Sequence, residues 1–173
     1  MKKLNYLGIG PKIGGPAIPL LAITIYFSLK YKSVFSIYTG DSKILIITGT
    51  ILILTGLILY ASTLPLLLKG LRETKLITYG AYALCKNPLY AAFILFLLPG
   101  IALLVNSWLI LTVCVVGYLL FKINIKSEYI EMEKFFGDEY KKYSSATPEL
   151  FPLSLKNWLR LRKSSFGVMS DKS

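Results

Sequence analysis

The sequence of 173 residues contains no histidine and only two cysteines, Cys85 and Cys114. Histidine is the side chain that titrates nearest to neutral pH and the commonest metal ligand, so the usual general base is missing. The two cysteines form no CxxC pair, and their number and spacing indicate neither a metal site nor a disulfide framework. Any chemistry of this chain therefore has to proceed without imidazole, and we predict no metal centre.

Charged residues are also scarce, at 17% of the chain, and only 9 of them are acidic against 20 Lys and Arg. A soluble domain usually carries about 25% charged residues. The mean hydropathy is +0.59, and the apolar residues form long runs that suit a bilayer better than a soluble core. The excess of cations fits Lys and Arg that flank membrane helices beside anionic lipid, so we predict a membrane partner and no nucleic-acid partner.

Two apolar runs in the first half of the chain predict membrane helices. The first covers residues 16–29, which is short for a span, and extends to about residue 35 if Lys30 and Lys32 snorkel. The second covers residues 44–68 without a charge and is long enough for one crossing. Pro65 is expected to kink or end this second helix.

A third uncharged run, residues 88–121, predicts a helical hairpin. As a single helix it would be about 51 Å long at 1.5 Å per residue, too long for a hydrocarbon core of about 30 Å. Asn, Ser and Trp at positions 106–108 suit an interfacial turn. We therefore predict two helices, over residues 89–105 and 109–123, with a tight turn between them.

These runs predict an all-α, multi-pass membrane bundle of about four transmembrane helices, with a single domain over residues 1–163. A polar stretch follows the hairpin, and Gly137 is expected to end its helix. Residues 156–163 form a basic amphipathic tail expected to lie on the membrane surface, and residues 164–173 are expected to be disordered.

The distribution of cations predicts the orientation. With four spans, 17 of the 20 Lys and Arg residues fall on the side of both termini, and only Lys30, Lys32 and Lys43 fall on the other. The positive-inside rule therefore places both termini in the cytoplasm.

Two polar segments on the predicted cytoplasmic side carry the candidate residues for binding and catalysis. Residues 76–90 place a glycine, two tyrosines, a cation and an amide just before a helix. Residues 128–143 begin with a glutamate and end in an aromatic-rich, charged stretch. Because a hairpin joins the segments, its helices leave and return to the same face, and we expect the segments to meet in a polar pocket at the membrane boundary.

The ordered set of these residues, over about residues 71–152, resembles the superfamily of isoprenylcysteine carboxyl methyltransferases and phospholipid methyltransferases. In that pattern a Gly-x-Tyr and an Arg-His-Pro-x-Tyr element precede a hairpin, a Glu-Glu pair and Phe-Gly-x-x-Tyr-x-x-Tyr. The positions that match in register are Gly80, Tyr82, Pro88, Tyr90, Glu128, Phe136, Gly137, Tyr140, Tyr143 and Pro152.

Three positions depart from this pattern. Its Arg-His is replaced by Lys86 and Asn87, and its second glutamate is replaced by Tyr129. Lys86 keeps the charge but loses the bidentate fork of an arginine. Asn87 can donate and accept hydrogen bonds but cannot titrate. These departures affect the expected identity of the substrate more than the expected fold.

The resemblance implies a membrane methyltransferase that uses S-adenosylmethionine and takes a lipophilic acceptor from the lipid, with its active site facing the cytoplasm. Lys86 and Glu128 are the catalytic candidates. Glu128 would hold the amino or ribose hydroxyl groups of the cofactor, and Lys86 would pair with its carboxylate. The full set of cofactor-binding candidates is Gly80, Tyr82, Lys86, Asn87, Pro88, Tyr90, Glu128 and Tyr140.

Each candidate also has a structural alternative. Lys86 could be a membrane anchor, Asn87 a helix cap before Pro88, and Glu128 a solvated glutamate. The tyrosines at 82 and 90 could belong to an interfacial belt, and Tyr140 could pack against the tail.

The acceptor is either a carboxylate or an amine. A carboxylate, as in isoprenylcysteine, is already ionised at neutral pH and needs no base, whereas the amine of a phospholipid must first lose a proton. The absence of histidine favours the carboxylate, although Glu131 or Glu133 could act as a base for an amine. Two further alternatives are an NADPH-dependent membrane reductase and a non-catalytic relative, and the sequence does not predict the oligomeric state.

Overall fold

The computed structural model describes residues 9–40 and 42–151, and these are mostly helical. The elements are α1 (Gly10–Lys30), α2 (Lys32–Phe35), α3 (Lys43–Glu73), α4 (Ala81–Leu84), α5 (Pro88–Ala91), a π-helical segment (Ala92–Leu97), α6 (Leu98–Leu104), α7 (Trp108–Phe136) and α8 (Asp138–Ala146). The all-α prediction is confirmed. The predicted tail, the predicted disordered end and Pro152 lie outside the described residues.

Three of these helices are long and apolar enough to cross a membrane: α1, α3 and α7. The continuous run from α5 to α6, Pro88–Leu104, is apolar but shorter. Large apolar side chains such as Ile18, Ile47 and Ile58 are exposed on the outside of α1 and α3, as expected for lipid-facing helices. The chain is therefore an integral membrane protein with a helical hairpin, as predicted.

Two long helices continue beyond the apolar runs from which they were predicted. α3 contains Pro65 in its interior and ends only at Glu73, where Thr74 takes a left-handed conformation at φ 55°. The expectation that Pro65 ends this helix is wrong, because a proline removes one backbone hydrogen bond and the charged residues after it still favour helix. α7 likewise extends past residue 123 to Phe136, and Gly137 at φ 56° ends it as predicted.

Helices α3 and α6 approach each other closely through glycines. A Cβ on Gly49 would lie 3.0 Å from the carbonyl oxygen of Gly100, and a Cβ on Gly100 would lie 3.0 Å from that of Gly49. A Cβ on Gly56 would lie 2.8 Å from Leu97. Small residues at these positions let the backbones meet, which is a common way to pack helices in lipid.

The hairpin turn forms one end of the bundle. Asn106, at φ 53°, accepts hydrogen bonds at Oδ1 from the N–H groups of Ile37 and Tyr38, both at 3.1 Å. The hydroxyls of Ser28 and Ser107 are hydrogen-bonded at 2.6 Å. These contacts attach the segment after α1 to the turn at the predicted position.

Candidate active site

A cavity of about 200 Å³ lies at the other end of the bundle, where the ends of α3 and α7 meet α4, α5 and α8. Both polar segments of the sequence contribute to it, as predicted. The residues that line it are Gly10, Leu67, Gly70, Leu71, Lys75, Leu76, Ile77, Tyr82, Lys86, Asn87, Pro88, Leu89, Tyr90, Glu128, Tyr129, Glu131, Met132, Phe136, Tyr140 and Tyr143.

Lys86 is held against α8 and α7. Its ammonium donates hydrogen bonds to the carbonyl and hydroxyl oxygens of Ser144, at 3.3 and 3.1 Å, and lies 4.9 Å from the centre of the Tyr129 ring. Burial lowers the pKa of Lys86, and among the nearby charges Glu149 opposes this shift while Lys122 adds to it. An ammonium has three donors, so this cation retains capacity for an anionic ligand group.

Asn87 and Tyr129 contact each other directly. The Asn87 amide donates to the Tyr129 hydroxyl at 2.6 Å and to the carbonyl oxygen of Glu149 at 3.0 Å. The Tyr129 hydroxyl donates to the Glu149 carboxylate at 3.2 Å, which also pairs with Lys122. Asn87 makes no side-chain cap on α5, so the capping alternative is wrong for its side chain.

Glu128 is half-buried and lines the cavity from α7. Its Oε2 accepts a hydrogen bond from the backbone N–H of Ile9 at 3.2 Å. Ile9 directly precedes α1, so the carboxylate is fixed by a helix 119 residues away in sequence. Glu128 is therefore not simply a solvated residue on the helix surface.

Four tyrosines line the cavity beside these groups: Tyr82, Tyr90, Tyr140 and Tyr143. The Tyr143 hydroxyl donates to the backbone carbonyl of Tyr82 at 2.8 Å, which joins α8 to α4. Burial raises the pKa of Tyr140 to about 12, and burial also raises the pKa values of Tyr82 and Tyr143. These three phenols therefore remain protonated at neutral pH, and they offer aromatic faces and hydroxyl groups.

A family model described as phospholipid methyltransferase matches residues 37–139, which is more than half of the chain. The chain belongs to the phospholipid methyltransferase family. It is accordingly a membrane methyltransferase, and its lipid-exposed helices imply a lipid environment and a lipophilic substrate. No match was found among curated proteins or among solved structures.

All but one of the site residues predicted from the sequence line the cavity of this phospholipid methyltransferase family member. The exception is Gly80. Gly80 has φ 63°, and a Cβ there would lie 2.7 Å from Leu66. Its place before α4 therefore requires glycine for conformational reasons. Pro88 is buried at the start of α5 and does line the cavity.

Several contributors to the site were not found from the sequence. The carbonyls of Pro148 and Glu149 accept the backbone N–H groups of Lys86 and Asn87, at 2.8 and 3.2 Å. Gly10 brings the start of α1 into the cavity wall. No pattern in the sequence indicates these contacts, because each depends on how distant helices pack. In this family member the cavity is thus closed by segments on both sides of the matched region.

Proposed function

We propose that this protein transfers a methyl group from S-adenosylmethionine to the carboxylate of a lipophilic, isoprenylcysteine-type acceptor. The observation that carries the proposal is the convergence of the Glu128 carboxylate, the Lys86 ammonium and five tyrosines on one cavity. The reaction converts a carboxylate and a sulfonium into an ester and a thioether, so no proton has to move.

The cavity residues fit the chemical groups of S-adenosylmethionine. Bound there, the cofactor would supply a methyl group on a positively charged sulfur for in-line displacement. Glu128 can accept from amino or hydroxyl groups, and Lys86 can pair with a carboxylate. Tyr82 and Tyr90 offer aromatic faces that suit a cation or a purine ring.

The apolar part of the cavity lining suits a lipophilic acceptor. Its side chains come from α3, from the segment after it and from α7, among them Leu67, Leu71, Ile77, Met132 and Phe136. These elements reach the cavity from helices that face lipid, which supports an acceptor supplied by the membrane.

The hydrogen bonds of the site favour an acceptor that is already ionised. Asn87 cannot take a proton, and it stands where the family pattern has a histidine. The Tyr129 hydroxyl is engaged with Asn87 and Glu149, and Glu128 is engaged with the N–H of Ile9. A carboxylate acceptor needs none of these groups as a base.

Methylation of a phospholipid amine is the second candidate. Glu131 lines the same cavity and would be the group that accepts the amine proton. The products distinguish the two reactions. Alkali cleaves a methyl ester and releases methanol, whereas an N-methyl group is stable to alkali. Membrane extracts incubated with the protein and methyl-labelled S-adenosylmethionine should yield alkali-labile label if the carboxylate is the acceptor.

The first experiment is equilibrium binding of S-adenosylmethionine to the detergent-purified protein, with NADPH in parallel. We expect micromolar binding that is lost in Glu128→Ala and retained in Glu139→Ala, an exposed glutamate outside the cavity. Binding that survives in Glu128→Ala would remove Glu128 from the site. Binding of NADPH alone would indicate a reductase, and binding of neither would indicate a non-catalytic relative.

A further inference from the structure

We propose that α1, which precedes the matched region, is a positioning element of the methyltransferase site, acting through the hydrogen bond from Ile9 to Glu128. The inference rests on the proposed function, because it assigns to α1 the task of orienting the carboxylate that would hold the cofactor. The match begins at residue 37, whereas α1 ends at Lys30.

The start of α1 is buried against α7 at the level of the cavity. Ile9 is 3% exposed and Ile13 8% exposed, and both belong to one apolar cluster with Phe121 and Ile125 of α7. The neighbouring Gly10 lines the cavity itself. This packing fixes the N–H of Ile9 relative to the helix that carries Glu128.

The opposite end of α1 is attached to the same partner helix. Ser28 is hydrogen-bonded at 2.6 Å to Ser107, the residue directly before α7, and both side chains are buried. With contacts at both ends, α1 cannot slide along α7 without breaking a buried hydrogen bond. The register that brings Ile9 to Glu128 is therefore set by the whole length of the helix.

The N–H of Ile9 is suited to this role because the helix does not use it. The first N–H groups of a helix have no partner within it, and Pro11 in the first turn contributes none. An anionic carboxylate is a favourable partner at this end of a helix. Among the described residues, this N–H is the one hydrogen-bond donor to the Glu128 side chain, and it leaves the carboxylate with acceptor capacity for a ligand.

A proline substitution removes the N–H of residue 9 and restricts its φ to about −65°, whereas Ile9 adopts −91°. Ile9→Pro loses the donor and the isoleucine side chain, whereas Ile9→Ala loses the side chain and keeps the donor. We expect Ile9→Pro to bind S-adenosylmethionine about tenfold more weakly than Ile9→Ala, the effect of losing a hydrogen bond to a charged group. In a Glu128→Gln background, which removes the charge, the difference should fall to about twofold or less.

Amide hydrogen exchange tests the contact without any cofactor. Glu128→Ala should accelerate exchange in the peptide that contains Ile9, and Glu139→Ala should not. Thermal unfolding and elution of each variant in detergent establish that it is folded, and the exchange measurement applies even if Ile9→Pro fails to fold.

Equal binding by Ile9→Pro and Ile9→Ala, with a wild type that binds, would overturn the positioning role alone. Unchanged exchange at Ile9 in Glu128→Ala would overturn the contact itself. A folded wild type that does not bind S-adenosylmethionine would overturn the proposed function and the role of α1 with it.

Discussion

At the residue scale, two of the three departures from the family pattern meet in space. Asn87 and Tyr129 are 42 positions apart and share a hydrogen bond of 2.6 Å. Where the pattern places an imidazole and a carboxylate, this chain places an amide and a phenol, which are neutral partners. The sequence marks both positions as unusual, but their contact depends on the packing of α5 against α7 and was not predicted.

The hydroxyl and the ring of Tyr129 have separable roles. Tyr129→Phe removes the hydrogen bonds to Asn87 and Glu149 and should lower the free energy of unfolding by about 1 kcal/mol. The ring that faces the Lys86 ammonium remains, so binding of S-adenosylmethionine should change little. Tyr129→Leu removes the ring as well and should weaken binding. Thermal unfolding and binding titrations measure the two effects, and equal binding losses in both variants would argue against a role for the ring.

The charge of Lys86 gives a prediction for pH. Burial lowers the pKa of this ammonium below its ordinary value of 10.5, so it loses its proton at a lower pH than a solvated lysine. If the charged form pairs with the cofactor carboxylate, binding should weaken with rising pH, and the loss should begin at a lower pH than titration of a solvated lysine would give.

Lys86→Arg is the matched control, because arginine stays protonated where a lysine titrates. Titration of the ligand is common to both proteins, so the difference between their binding curves isolates residue 86. Parallel curves for the wild type and Lys86→Arg would show that the charge of Lys86 does not contribute to binding.

At the scale of elements, the sequence located the helices better than it located their ends. The hairpin turn and the stop at Gly137 carry local signals, a polar pair beside Trp108 and a glycine after a helical run. The end of α3 was predicted where apolar residues give way to charges, and the hairpin helix over residues 109–123 was not joined to the helix that Gly137 ends. Hydropathy reports where a helix leaves lipid, whereas Lys, Arg and Glu are good helix formers in water, so both helices continue.

The close approach of α3 and α6 predicts a cost for any side chain at Gly100. A Cβ there would lie 2.8 Å from Ile53 and 3.0 Å from the Gly49 carbonyl oxygen. Gly100→Ala should therefore destabilise the protein by about 1–3 kcal/mol, seen as a lower Tm in detergent. Gly15→Ala is the control, because no atom lies within 4 Å of its added Cβ and alanine favours helix. A Tm for Gly100→Ala at or above the wild-type value would show that the helices are less tightly packed.

At the scale of the whole molecule, the sequence predicted that two polar segments meet because a hairpin must return to its own side. It did not predict that the start of α1 lines the cavity at Gly10, or that the carbonyls of Pro148 and Glu149 hold the backbone of Lys86 and Asn87. Those contributions come from backbone groups, such as the N–H of Ile9 and the carbonyl of Pro148. Nearly every residue carries such groups, so no residue type signals their use, and only the packed bundle selects them.

The two ends of the bundle make the predicted orientation testable. Thr39 lies at the end with the hairpin turn, and Asp138 lies at the end with the cavity, where its side chain is fully exposed. With Cys85 and Cys114 replaced by serine, a single cysteine at either position reports its side of the membrane. If the cation-rich end faces the cytoplasm, an impermeant maleimide applied outside intact cells should label Thr39→Cys and should label Asp138→Cys only after permeabilisation. The reverse pattern would place the cavity outside, where S-adenosylmethionine made in the cytoplasm would not reach it, and would contradict both the orientation and the proposed reaction.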